Sequence, residues 1–393
     1  MRQVAFHRPA IGAEEEREVV EALRSGWITT GPRARRFEQD FASYVGARRA
    51  LAVAHCTGAL HLALFALGVG PGDEVLTTPF TFTATAEVVG YLGARPVFVD
   101  IEEDTFNIDP ERIEQALSSG RLQRARVLLP VHFAGQPCEM DRILELARRF
   151  GLRVAEDAAH AVGAAVEVEG RGMTRVGTIS DIACFSFYAT KNITSAEGGM
   201  LTTEDDQLAD RMAVASLHGM DRDAWKRYDA SGSWYYEIHD VGFKYNLSDV
   251  HAAIGLVQLR RADEFMRRRA AIAERYNAAF ASEEPLIVPR TRPGRDHAWH
   301  LYVLQIRPEM LRVDRNRLVE ILRERGVGVS VHCIPLHTMH FYQRCYGYRN
   351  GDFPVSEKVF SRCFSLPIYP AMTREDGDYV IDTVLAAVRE NRR

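Results

Sequence analysis

Four short segments of the chain carry residue types that can act together on one small molecule. In His55-Cys56-Thr57-Gly58-Ala59, Thr57 offers a hydroxyl, and Gly58 and Ala59 offer unobstructed backbone N–H groups. An Ala- and Leu-rich helical run follows, so these donors lie at a helix N-terminus, whose partial positive charge attracts phosphate. Taken alone, the tripeptide also reads as an ordinary capping turn. In Glu156-Asp157-Ala158-Ala159-His160, Asp157 directly follows the apolar run 152–156 and can hold a cationic ring nitrogen by a charge-assisted hydrogen bond. A cap on the next turn is the plainer alternative. In Ser186-Phe187-Tyr188-Ala189-Thr190-Lys191, the lysine stands between a buried run and Glu197-Gly198-Gly199. Desolvation at such a rim can take the proton from a lysine and make it a nucleophile towards carbonyls; without these surroundings a solvated surface lysine is the plainer alternative. Ser186 can bond a phosphate oxygen. In Pro79-Phe80-Thr81-Phe82-Thr83, Phe82 can cover a flat ligand ring by offset stacking, a core phenylalanine being the plainer alternative.

The four demands describe one object: a phosphate, a flat ring, a ring nitrogen that benefits from Asp, and an aldehyde that Lys can condense with. Pyridoxal 5′-phosphate (PLP) meets all four.

Short apolar strands alternating with helical patterns must hold these segments. Strands are expected at 49–54, 73–77, 96–99, 126–132, 152–156 and 182–187. Helices are expected at 56–67, 83–91, 110–117 and 140–150. The apolar runs are near-continuous, as in parallel strands covered on both faces. The fold class is therefore α/β, with a mostly parallel central sheet between helices. Ser248-Asp249 reads as a helix cap, and a helical pattern runs from it towards Phe280. The expected division is a large domain with an N-terminal arm over 1–248. A long linking helix and a small C-terminal α+β domain follow over 249–393.

Composition narrows the function classes. At about 150 residues per domain, 393 residues hold roughly two or three. Lys plus Arg is 49 against 53 for Asp plus Glu, a net charge of −4, which excludes the basic excess of a nucleic-acid binder. The longest apolar stretch near the start, 59–70, falls short of the ~20 residues that cross a bilayer. The six Cys are scattered without a Cys-x-x-Cys pair. These features predict a cytoplasmic protein with reduced thiols, acting on neither nucleic acid nor membrane.

The segments Ser25–Pro32 (SGWITTGP), 78–82, 156–164, 186–201, 242–259 and 365–373 together resemble the DegT/StrS-type nucleotide-sugar aminotransferases, which are fold-type I, aspartate-aminotransferase-like PLP enzymes. The resemblance spans nearly the whole chain. It implies that Lys191 condenses with the cofactor and moves the proton to and from the substrate carbon. Asp157 keeps the ring nitrogen protonated. Phe82 stacks on the ring, Thr57, Gly58 and Ser186 hold the phosphate, and His160 lies near the phenolic oxygen. Asn246 reaches the phosphate of the neighbouring subunit's cofactor, which implies a homodimer with shared active sites.

On the substrate side, Trp225, Tyr228, Trp234, Tyr235, Tyr236, Phe243 and Tyr245 are interleaved with Lys226 and Arg227. A loop over a nucleotide-sugar and a packed dimer interface both explain that pattern. Candidate substrate contacts are Trp27, Thr29, Lys226, Tyr235, His332 and His337. The resemblance is greater to the 4-aminotransferase branch, which implies L-glutamate as donor and a UDP-linked 4-keto-hexose or -6-deoxyhexose as acceptor. The cluster His332, Cys333, His337 and His340 matches no standard zinc spacing, so no metal is expected. Two rival readings are a PLP-dependent keto-deoxysugar dehydratase, whose relatives carry His at the Lys191 position, and a non-catalytic regulator. A regulator need not keep Lys191, Asp157 and Ser186 together.

Overall fold

The structure, a computed structural model, describes residues 2–220 and 235–393. Two helices, α1 (Ala13–Arg24) and α2 (Pro32–Val45), precede β1 (Arg49–Val53), α3 (Cys56–Ala66) and β2 (Glu74–Thr77). Then come α4 (Thr83–Tyr91), β3 (Arg95–Phe98), α5 (Pro110–Ser118), β4 (Ala125–Leu128), α6 (Met140–Phe150) and β5 (Arg153–Asp157). After β6 (Ala165–Val168) and β7 (Gly172–Arg175), β8 (Ile182–Ser186) and β9 (Gly199–Thr203) return to the centre, and α7 (Asp206–Ser216) follows.

Among the described residues, seven strands form the main sheet in the order β1-β9-β8-β5-β4-β2-β3. All are parallel except β9, which runs antiparallel to both neighbours. The reason is local: the segment between Ser186 and Gly199 turns back without a crossover helix, and only an antiparallel strand can follow so short a return. The strands are apolar on both faces because helices cover both. Every residue of β8 and of β9 is buried.

The helical pattern from Ser248 forms two helices, α8 (Asp249–Arg260) and α9 (Ala262–Phe280), rather than one. The break falls at Arg261 (φ −99°, ψ 1°), a backbone that leaves the α region. Ala252, Leu256 and Leu259 of α8 pack in the core beside the main sheet, with Phe37 and Phe41 of α2. Ile272, Tyr276 and Phe280 of α9 pack in a different core.

The later elements are β10 (Leu286–Ile287), β11 (Arg295–Asp296), β12 (Tyr302–Ile306), α10 (Arg315–Glu324), α11 (His340–Tyr346), α12 (Pro354–Arg362), β13 (Cys363–Leu366) and α13 (Arg374–Glu390). β10, β12 and β13 form an antiparallel sheet, and Leu304, Leu318, Leu322, Phe364 and Val384 fill the second core around it. Two pairings tie distant parts of the chain together. β11 joins β6 and β7 in a three-stranded sheet, and Val4 bridges Val327.

Candidate active site

Parallel strands bring their carboxyl ends to one edge, where open α/β sheets bind ligands. β1 delivers His55, β2 leads to Phe82, β5 ends on Asp157, and β8 leads through Ser186 to Lys191. Thr57, Phe82, Asp157, His160, Ser186, Lys191 and His332 all line one cavity of about 470 Å3 at that edge. A wider groove of about 670 Å3 runs past Glu139, Arg292 and Arg295, away from the four segments. Its two arginines are already paired, Arg292 with Asp104 at 2.9 Å and Arg295 with Glu139 at 2.6 Å.

At one end of the cavity α3 begins at Cys56. Its N-cap is His55, whose Nδ1 accepts the Gly58 N–H at 2.8 Å. One of the donors expected to face phosphate is therefore engaged by a neighbouring imidazole. A Cβ at Gly58 would stand 3.1 Å from both His55 and Tyr245, and one at Gly199 2.7 Å from the His55 carbonyl carbon. Only glycine allows β9 to start this close under the helix N-terminus. The Ser186 hydroxyl accepts the Tyr188 N–H at 3.3 Å, and its own hydrogen is left to donate.

The Asp157 carboxyl, 5% exposed, lines the same cavity. Its Oδ2 accepts the Thr85 hydroxyl at 2.7 Å and its Oδ1 the Ala159 N–H at 3.1 Å. Thr81 Oγ1 stands 2.8 Å from Thr85 Oγ1 and extends the chain of hydroxyls. Burial pushes the Asp157 carboxyl above its ordinary range, against the pull of Thr85, Ala159 and Lys191. Burial likewise pushes the Lys191 ammonium below its ordinary range, with the Asp157 carboxylate among the groups acting against it. A lysine so placed gives up its proton more readily than one in water.

His160 Nδ1 accepts the Ala134 N–H at 3.2 Å. Burial holds its imidazole well below the ordinary histidine range, so the ring is neutral. A neutral ring with Nδ1 as acceptor carries its hydrogen on Nε2. His160 is thus a donor at Nε2.

Other expected residues lie elsewhere. Trp27, Thr29 and Asn246 do not line this chain's cavity. They form a separate cluster, in which Asn246 Nδ2 donates to Thr30 Oγ1 at 2.6 Å, Trp27 Nε1 to Thr30 O at 2.8 Å, and the Asp249 N–H to Thr29 O at 3.0 Å. Lys244 Nζ also bonds Asn246 Oδ1. His337 does not line this cavity; its side chain is fully buried and its Nε2 meets Glu357 Oε1 at 2.8 Å. Tyr235 is exposed and outside the cavity lining. Trp225, Lys226, Arg227, Tyr228 and Trp234 lie outside the described residues. Thr85, His300 and Cys333 line the cavity without having been expected there. Thr85 has a readable signal, since its spacing of four from Thr81 stacks their hydroxyls at the start of α4. His300 has none, because its contacts come from distant segments. No group of three or more metal-ligating side chains occurs among the described residues.

A test of fit to PLP follows from these positions. The cavity holds a carboxylate for a ring nitrogen, a desolvated lysine for an aldehyde, a donor imidazole, and a glycine-lined helix N-terminus with a hydroxyl for phosphate. The residues fit the group.

Comparison with known proteins agrees. Residues 9–385 match the model of the DegT/DnrJ/EryC1/StrS aminotransferase family. The chain is 48% identical over 385 residues to the spore coat polysaccharide biosynthesis protein SpsC of Bacillus subtilis, covering 98% of this chain and 97% of SpsC. Spr1654 of Streptococcus pneumoniae, solved in PLP and PMP forms, superposes with a TM-score of 0.89 at 31% identity. In the PLP form the match covers 99% of each chain. Helicobacter pylori PseC, an aminotransferase involved in the biosynthesis of pseudoaminic acid, superposes with a TM-score of 0.89 at 26% identity, covering 99% of this chain and 100% of PseC.

Proposed function

This chain belongs to the DegT/DnrJ/EryC1/StrS aminotransferase family, whose cofactor is PLP, and from that premise we propose that it transfers an amino group from L-glutamate to a nucleotide-linked keto sugar, at C4 of a UDP-4-keto-hexose or -6-deoxyhexose. The observation that carries the reading is the convergence of Lys191, Asp157 and the α3 N-terminus on one cavity. Bound there, PLP supplies an aldehyde that condenses with amines and a ring that takes up the electron pair released when a substrate carbon loses a proton.

The chain's own residues do the rest. Asp157 holds a proton on the ring nitrogen by a charge-assisted bond, and Thr85 fixes the carboxylate that does so. Lys191 Nζ, easily deprotonated, anchors the aldehyde and then carries the proton at the substrate carbon. Thr57 and Ser186 hold the phosphate at the α3 N-terminus, the Gly58 N–H being taken by His55, and Phe82 covers the ring. His160 Nε2–H donates beside the phenolic oxygen. His332 stands at the substrate side of the cavity.

Asn246, Trp27 and Thr29, gathered outside this chain's own cavity, serve the neighbouring subunit's site in this reading, so the working unit is a homodimer. Residues 1–248 form the cofactor domain, and 249–393 the linking helices and the small domain beside the substrate mouth. SpsC and PseC, through their printed roles in polysaccharide and pseudoaminic acid biosynthesis, favour a sugar acceptor. The test is to incubate the protein with L-glutamate and a panel of UDP-, dTDP- and GDP-linked keto sugars, and to follow the sugar by mass spectrometry. The expected result is an amine in place of the keto oxygen on a UDP-4-keto sugar. An amine on none of them removes the proposal.

A further inference from the structure

We propose that His300 is a positioning residue for the cofactor: its ring, packed on that of His160, holds the His160 Nε2–H in the direction from which it donates into the cavity. The inference rests on the cofactor reading above and adds to it a residue that touches His160 rather than the reacting atoms.

The two imidazole centroids lie 4.3 Å apart with planes inclined by 37°. His300 is itself held from two sides. Its Nδ1 lies 3.1 Å from Asn192 Oδ1, while Asn192 Nδ2 donates to Ala298 O at 2.8 Å, which settles which end of the amide faces the ring. An amide oxygen only accepts, so His300 carries its hydrogen on Nδ1. Asn192 is the residue after Lys191, so the lysine segment and the His300 segment are fastened together. Arg269, fully buried, donates from Nη1 to the carbonyl oxygens of Trp299, His300 and Ile368 at 3.1, 3.2 and 2.8 Å.

The same segment is clamped to the turn that sets His160. The Ala298 N–H donates to Gly135 O at 2.8 Å, and the Leu301 N–H to Ala134 O at 3.2 Å. Ala134 (φ 57°) and Trp299 (φ 47°) both take left-handed backbone without being glycine. Such residues are strained and persist where surrounding contacts over-determine them. Here the strained turns put the Ala134 N–H on His160 Nδ1 and the His300 ring against the His160 ring. Burial keeps both imidazoles neutral, so the contact carries no like-charge repulsion.

The test uses His300→Ala and His300→Phe, the second keeping a ring of similar volume. Two readouts are taken: PLP affinity by titration of the visible band, and the ring-carbon NMR shifts of His160, which report its tautomer with or without PLP. His300→Ala should bind PLP about tenfold more weakly, the loss expected for an aromatic contact of roughly 1.4 kcal/mol. Its His160 signals should move away from the pure Nε2–H form. His300→Phe should restore the affinity to within about threefold and the His160 signals with it. The proposal is overturned by wild-type affinity and unchanged His160 signals in His300→Ala. It is equally overturned by a His300→Phe protein as impaired as alanine. Should the wild-type protein bind no PLP, the cofactor reading fails by itself, and the NMR readout still decides the His300–His160 coupling.

Discussion

Lys191 and Asp157 are each pressed by burial towards neutrality, Lys191 downward and Asp157 upward. The signs of the stability effects follow. Between the folded Lys191 value and its ordinary 10.5, the unfolded chain binds the extra proton. The cofactor-free protein therefore gains stability as pH rises through that window. Melting temperature against pH should show an alkaline rise that Lys191→Met flattens; an unchanged rise removes Lys191 as its source. For Asp157 the folded protein holds the proton longer, so stability falls as pH rises from the ordinary carboxyl range through the folded value. Asp157→Asn should therefore melt higher than wild type near neutral pH without PLP, yet bind PLP more weakly. A variant that melts lower contradicts the assignment of burial as the dominant cost. Both residues were legible in the sequence because Asp157 directly follows an apolar run and Lys191 comes shortly after one, and parallel strands bring such residues to the ligand edge. Thr85 left only its spacing from Thr81 as a signal, since its bond to Asp157 crosses the sheet edge, and His300 left none, because it is brought to His160 by segments far apart in the chain.

At the scale of elements, Asp249 explains how α8 fixes the turn before α2. Its side chain is fully buried, and its two oxygens accept the N–H groups of Gly31, Arg33 and Ala34 at 2.8, 3.0 and 2.9 Å. It therefore caps α2 from a distant helix, at the end where the macrodipole favours an anion. Asp249→Ala orphans three donors and should cost about 2–4 kcal/mol in urea unfolding. A loss within a few tenths of wild type contradicts the capping role. The sequence marked Ser248-Asp249 as a cap for α8, and Ser248 does accept the His251 N–H at 3.3 Å. The second duty of Asp249 was invisible because its partners lie more than two hundred positions away. The strand–helix alternation was readable as far as β5, since local periodicity encodes it. The reversal of β9 and the pairing of β11 with β6 depend on how the chain returns, which periodicity does not record.

At the scale of the molecule, the cavity gathers the cofactor residues of one chain, while Trp27, Thr29 and Asn246 form a cluster outside it. The homodimer proposed above gives that cluster its site. Lys191→Ala and Asn246→Ala should each be inactive or nearly so alone. Mixed and allowed to exchange subunits, they should recover up to about a quarter of wild-type activity, because half of the dimers then own one intact site. No recovery after demonstrated exchange places Asn246 in its own chain's site or in none. The most direct test of the central claim, that the Lys191 cavity is where amino transfer takes place, is the visible spectrum of the PLP-loaded protein before and after L-glutamate. The account predicts a band that shifts on adding glutamate in the wild type and is absent from the outset in Lys191→Ala. A wild-type band inert to glutamate, or one that survives loss of the lysine, would contradict it.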